Sequence, residues 1–110
     1  MASKVYFTKE ITAEKVVELY KKLGKELPGK VAVKLHSGEA GNQNFLTADF
    51  WAPMVNYVNG TVVECNTAYG GKRNTTKKHL KLMPDHCWDK YFNFDLMDAE
   101  GPDDVLSVPN

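Results

Sequence analysis

Residues 62–79 read VVECNTAYGGKRNTTKKH and join an apolar run to a polar loop and a basic segment. The apolar run predicts a strand that ends at Glu64 or Cys65, and two adjacent glycines then allow the backbone to turn. Thr75 or Thr76 can begin a helix, whose free backbone N–H groups favour an anion. This stretch therefore predicts a strand–loop–helix unit that can hold an anionic ligand.

Similar patterns on both sides of this stretch predict an α/β domain. The apolar spacing predicts strands at residues 5–7, 31–36, 61–65 and 94–97, and helices at residues 13–23, from Thr47 or Asp49 to about residue 58, and from Thr75 or Thr76 onward. Strand–helix–strand units form right-handed crossovers between parallel strands. The sequence thus predicts a three-layer sandwich, with a small, mainly parallel sheet of about four strands and helices on its faces.

Length and composition predict one domain over residues 1–110, in which residues 99–110 form a loop or a loosely ordered tail. A hydrophobic content of 43% supplies one core. Fourteen basic and fourteen acidic side chains cancel, which argues against nucleic-acid and anionic-membrane partners. The first residues lack the apolar core of a signal peptide, and two cysteines make no disulfide framework. We therefore expect a cytoplasmic protein.

Two polar loops follow predicted strands and are the candidate ligand site. Loops at the carboxyl ends of parallel strands share one edge of the sheet, where ligands bind. We therefore expect the two loops to lie within side-chain reach of each other. The predicted ligand-binding residues are Asn42, Asn66, Thr67, Tyr69, Lys72 and Arg73. The two basic residues would accept a small anionic ligand, and a solvated basic loop is the alternative.

Three residues of these segments are candidate catalytic groups. Histidine as a residue type can transfer protons near neutral pH. His36 is followed at a short distance by Glu39, so the two could form an acid–base pair or a weak metal site. The alternative is a histidine that hydrogen-bonds its own loop. Cys65 could be a nucleophile if nearby cations lowered its pKa, and an inert buried cysteine is the alternative. The sequence leaves open whether the protein is an enzyme.

No motif in the chain identifies a cofactor, which stays unknown. The glycine spacing matches neither the P-loop nor the dinucleotide fingerprint. The cysteine and histidine spacing matches no common zinc site, so we predict no metal. Two cysteines are fewer than the four ligands of a ferredoxin-type cluster, and we expect no 4Fe–4S cluster in this chain.

Three blocks of sequence resemble successive signatures of domain-of-unknown-function family 362 of bacteria and archaea. They are KLHSGEAGN at residues 34–42, ECNTAYGGKR at 64–73 and DLMDAEG at 95–101, in the family's order and approximate spacing. The resemblance implies a cytoplasmic-type protein without an established reaction. Many members carry an inserted 4Fe–4S ferredoxin segment, which has no counterpart here. Cys87 and Trp88 replace a usual glycine and aromatic residue.

The resemblance also implies that these residues correspond to the amino-terminal part of a longer domain. We therefore expect the aromatic residues 88–94 and a sheet edge to be covered by another copy, as a homo-oligomer. Three functions stay open. The chain could be an α/β domain with a polar, anion-accepting site at its strand ends, a truncated interaction or oligomerisation module, or, by family association, an iron–sulfur electron-transfer protein.

Overall fold

The computed structural model describes residues 2–97, and the predicted tail at 99–110 lies outside them. The elements, in chain order, are α1 (Ala13–Lys22), β1 (Val31–Lys34), α2 (Ala48–Tyr57), β2 (Gly60–Cys65), α3 (Thr76–Asp85), α4 (Trp88–Tyr91) and β3 (Phe94–Met97). The strands form one parallel sheet in the order β1-β2-β3. The predicted α/β class and parallel pairing are confirmed.

The helices that follow the strands pack on one face of this sheet. Each strand is followed by its next neighbour in the sheet, from β1 to β2 to β3. Right-handed crossovers between strands in this order place all the connecting helices on the same face. Val62 of β2 is fully buried on that side, in one apolar cluster with Val55 of α2 and Trp88 of α4. On the opposite face Thr61 and Asp95 are exposed. Helix α1 packs mainly against α2, so the predicted second helical layer is not seen among residues 2–97.

The strand predicted at residues 5–7 is wrong. This segment joins no sheet, and its Val5 and Phe7 side chains are 87% and 80% exposed. Strand propensity reflects how well side chains pack on a pleated, half-buried surface, and a segment without a partner strand has no such surface. Tyr6 and Phe7 instead line a cleft with Leu19 of α1. The described sheet therefore has three strands rather than about four.

The aromatic residues after α3 belong to the domain's own core. Trp88 is buried, and its ring contacts those of Phe92 and Phe94 at centroid distances of 5.7 and 6.2 Å. The expectation that another copy covers this cluster is wrong for Trp88 and Phe92, because the core face of the sheet already covers them. Cys87 precedes α4 with φ 59°, a left-handed conformation that is uncommon outside glycine.

Gly38 shows how tightly the loop after β1 is packed. Its φ is +84°, and a Cβ there would lie 2.6 Å from the ring of Phe45. Gly41 in the same loop has a φ of +79°, but a Cβ there would meet nothing within 4 Å. Both positions have a positive φ that disfavours any side chain, but only at Gly38 would a side chain also collide with a neighbouring group.

We predict that Gly38→Ala lowers the free energy of unfolding by about 1–3 kcal/mol more than Gly41→Ala does, because overpacking adds to the cost of the positive φ. Urea denaturation of the two variants and the wild type measures the difference. Equal losses would show that the Phe45 ring moves aside without cost.

Candidate functional site

The loop after β1 (residues 35–47) and the loop after β2 (residues 66–75) meet at one edge of the sheet, as the sequence predicts. Arg73 of the second loop crosses to the first, where its Nε donates to Glu39 Oε1 at 2.9 Å. Its Nη1 donates to Glu64 Oε1 of β2, also at 2.9 Å. The Thr67 N–H donates to the Arg73 carbonyl at 2.9 Å and closes the second loop. The guanidinium thus joins two loops and a strand.

Arg73 is an interior cross-link rather than an exposed anion-binding group. Its residue is only 4% exposed, and Nη2 also donates to the Tyr69 hydroxyl at 2.9 Å. Nη1 lies 3.2 Å from His36 Nδ1. The hydrogen bond from Arg73 and then that from Tyr69 hold the pKa of Glu39 below its usual range. The arginine that the sequence assigned to a ligand is therefore committed to protein carboxylates.

Glu64 is the site residue that sequence analysis missed. It is buried beside Val62 on the core-facing side of β2, and Lys34 Nζ lies 2.6 Å from its Oε2. Burial by itself would raise the pKa of Glu64, but hydrogen bonds from Lys34 and the Ser37 N–H bring it below its usual value. The signal in the sequence was a carboxylate at a core-facing position near the end of an apolar strand.

A buried relay of neutral polar groups ties α3 to both loops. Ser37 Oγ lies 3.1 Å from His79 Nε2, and His79 Nδ1 lies 3.2 Å from Asn66 Oδ1. The Asn66 amide nitrogen donates to Thr76 Oγ1 at 2.9 Å. Asn66 therefore offers its oxygen to the ring, which assigns a proton to Nδ1, while the Ser37 hydroxyl donates its hydrogen to Glu64 Oε1 at 3.2 Å.

This relay has the order of a nucleophile, a base and an orienting group. However, Ser37 and His79 are 1% and 0% exposed, so no substrate reaches the hydroxyl. We therefore assign the relay to holding the loops and the helix together. His86, which follows α3, adds a second tie, because its Nδ1 lies 2.6 Å from the Ser37 carbonyl oxygen.

Of the other predicted residues, His36 contacts both its own loop and Arg73, whereas the side chains of Asn42 and Thr67 contact their own turns. His36 is exposed, and its Nδ1 accepts the Gly38 N–H at 3.3 Å, so it hydrogen-bonds its own loop as well as Arg73. Asn42 and Thr67 hold their own turns, through Asn42 Oδ1 to the Asn44 N–H at 2.8 Å and Thr67 Oγ1 to the Tyr69 carbonyl at 3.2 Å.

The remaining catalytic candidate, Cys65, is half-buried at the end of β2, and its N–H donates to Glu64 Oε2 at 3.2 Å. Within residues 2–97, no group of three or more His, Cys, Asp or Glu side chains is placed to hold a metal ion.

A cationic cavity lies beside this network. We call it the lysine pocket, and it has a volume of about 250 Å³ and is lined by Ala40, Lys72, Lys78, Lys81, Leu82 and Asp85. The two loops supply the first two residues and α3 supplies the other four. Lys81 was missed by sequence analysis, although its spacing of three from Lys78 placed both on one helix face. Lys72 is the predicted anion-binding residue that the structure leaves exposed.

No protein family model, no curated protein and no solved structure matches this chain. The fold and the site define its class as a small parallel α/β domain whose strand-end loops are joined by a buried ion-pair network. Across residues 2–97 no helix has both the length and the apolar character needed to cross a membrane.

The buried ionisable groups predict a two-step acid dependence of stability. Burial lowers the pKa of His79 below its usual value, partly opposed by the charge of Glu64. The unfolded chain therefore binds a proton below about pH 6.5 that the folded chain resists. This contribution to stability is full above about pH 6.5 and is lost as the pH falls towards the folded pKa. Glu39 and Glu64, with lowered pKa values, contribute stability that is lost only at lower pH, below about 4.5.

We predict that His79→Gln is less stable than the wild type at pH 7 but lacks most of the loss of unfolding free energy between pH 6.5 and 5. Urea denaturation at a series of pH values measures this slope. His36→Gln is the matched control, since it removes an exposed imidazole rather than the buried one, and it should change the slope less than His79→Gln does. An unchanged slope in His79→Gln would contradict the assignment of the first step to the buried ring.

Proposed function

We propose that this domain binds a small anionic ligand in the lysine pocket, at the carboxyl ends of its strands. The observation that carries the proposal is the convergence of Lys72 from the second loop with Lys78 and Lys81 of α3 on one cavity of about 250 Å³. Ammonium groups bind phosphate and carboxylate oxygens through charge-assisted hydrogen bonds. Within residues 2–97 none of these lysines has a carboxylate oxygen within 4.0 Å. Lys78 Nζ donates to Asn74 Oδ1 at 3.1 Å, and Asp85 is the acidic residue of the lining.

The neighbouring network supports this site without binding the ligand itself. Arg73 directly follows the pocket residue Lys72, and Glu39 directly precedes the pocket residue Ala40. The Arg73–Glu39 ion pair therefore holds both loops beside α3. His36 is the candidate proton-transfer group, because its imidazole is exposed at the same edge and contacts Arg73. A reaction at this site would use His36 rather than the buried Ser37.

The same contacts support the proposed membership in domain-of-unknown-function family 362. The blocks at residues 34–42 and 64–73, which carry the resemblance, contribute both partners of the Glu39–Arg73 and Lys34–Glu64 pairs. The residues on which the proposed membership rests thus include a connected set of ion pairs. A cytoplasmic location belongs to this proposal as well.

We predict that Lys81→Gln weakens the binding of inorganic phosphate at low ionic strength by about tenfold, since a hydrogen bond to a charged group contributes about 1.5–3 kcal/mol. Isothermal titration calorimetry measures the Kd. The matched control is Lys77→Gln, which removes the same charge from an exposed position of α3 outside the cavity. It should change the Kd by less than about twofold. Equal losses in the two variants, or no saturable binding by the wild type, would overturn the proposal.

A second candidate function is self-association through the sheet face that α2 and α4 leave uncovered. Val63, Cys65 and Met97 alternate onto this face and are only partly buried among the described residues. Their burial would release apolar surface from water. A second copy stacked there would supply the other layer of the predicted three-layer sandwich.

For this second candidate we predict a light-scattering mass of two chains at micromolar concentration, and of one chain for Val63→Lys. Asn56→Lys adds the same charge at an exposed position of α2, outside this face, and should leave the mass at two chains. A wild-type mass of one chain throughout would end the idea.

A further inference from the structure

We propose that the lysine pocket selects a single phosphate-sized dianion over a longer polyanion, and that Ser37 sets this selectivity by fixing the width of the pocket. The proposal rests on the anion-binding function proposed above and adds the ligand class and the residue that determines it. Ser37 is a positioning residue here, because it acts through the pocket walls and does not touch the ligand.

The α3 wall of the pocket is attached to Ser37 at two points. His79 Nε2 lies 3.1 Å from Ser37 Oγ, and His86 Nδ1 lies 2.6 Å from the Ser37 carbonyl oxygen. The lining residues Lys81, Leu82 and Asp85 lie between these histidines in the chain. One buried residue therefore sets the position of this wall at both ends.

The loop wall is attached to the same residue through carboxylates. The Ser37 N–H donates to Glu64 Oε1 at 3.1 Å, and the same oxygen accepts from Arg73 Nη1 at 2.9 Å. Arg73 continues to Glu39 through Nε. Lys72 and Ala40, which line the pocket, are the direct chain neighbours of Arg73 and Glu39. Ser37 thus connects both walls through a chain of short polar contacts.

The central residues of this connecting chain are buried and fully paired, which makes them rigid, whereas Glu39 and His86 at its ends are partly exposed. Ser37, Arg73, Glu64 and His79 are all below 5% exposed. Within residues 2–97 no buried side-chain nitrogen or oxygen lacks a hydrogen-bond partner. Moving one wall relative to the other would leave a buried polar group unpaired, which is costly, and more so for a charged group. Moving the two walls of the pocket apart is therefore costly.

The size and charge of the pocket define the ligand class. A volume of about 250 Å³ lies below the roughly 300–1,000 Å³ of typical small-molecule sites. The lining carries three lysines and one aspartate, and the difference of two positive charges matches a dianion. Asp85 opposes the additional charge of a longer polyanion by like-charge repulsion. A phosphate or phosphomonoester group fits both conditions.

The test compares inorganic phosphate with pyrophosphate on the whole chain by calorimetry at fixed ionic strength. The wild type should prefer phosphate. Ser37→Ala removes the Oγ contacts, and it should weaken phosphate binding by about tenfold and change pyrophosphate binding by less than about twofold. Ser37→Thr keeps the hydroxyl and should restore the preference. Lys81→Gln is the matched control, since it removes a direct contact and should weaken the binding of both anions.

His86→Leu is the second variant, and it keeps the proposal testable if Ser37→Ala does not fold. It cuts the tie to the Ser37 carbonyl at a half-buried position and leaves the His79 relay in place. It should reduce the phosphate preference in the same direction. If the wild type binds neither anion, the proposed function is overturned. If the wild type binds phosphate, and folded Ser37→Ala and His86→Leu keep its preference for phosphate over pyrophosphate, only this inference is overturned.

Discussion

The ion pairs of Arg73 with Glu39 and Glu64 are the constraint on which the rest of the structure depends. They join a loop after β1, a loop after β2 and the strand between them, at distances of 2.9 Å for the bonds from Nε and Nη1. Burying charged groups is costly unless they are paired and hydrogen-bonded, and removing one partner of a buried pair typically costs about 3–5 kcal/mol. Lys34 supplies a second cation to Glu64, so two carboxylates face two cations and their charges cancel.

Strand β2 divides the interior into an apolar part and a polar part. Val62 and Glu64 point to the same side of the sheet and are both buried. Val62 enters the cluster that contains Trp88, whereas Glu64 reaches the loops beyond the strand end. Apolar packing tolerates small displacements, but hydrogen bonds require defined donors and acceptors at short range. The polar part therefore determines where α3 and the loops lie, and thereby which lysines share a cavity.

Local patterns in the sequence were sufficient to predict most of the helices and strands. Helical periodicity located α1, and Thr12 caps it by accepting the Lys15 N–H at 3.2 Å. Apolar runs located β1 and β2, and the weak alternation of residues 94–97 located β3. The run at residues 5–7 has the same composition but no partner strand. Pairing is a property of the fold and not of the segment, and for this reason the number of strands could not be predicted from the sequence.

By itself the sequence determined which residues lie at the strand ends, since chain order and parallel pairing bring both loops to one edge. It did not determine which of those residues face inward. Lys72 and Arg73 are adjacent and both basic, yet Arg73 is buried between carboxylates and Lys72 lines a cavity. Glu39 lies 34 residues from Arg73 along the chain, so only the tertiary structure brings this partner within reach. Burial of a charge requires such a partner, and for that reason the tertiary structure alone decided which cation is buried between carboxylates and which is exposed at a cavity.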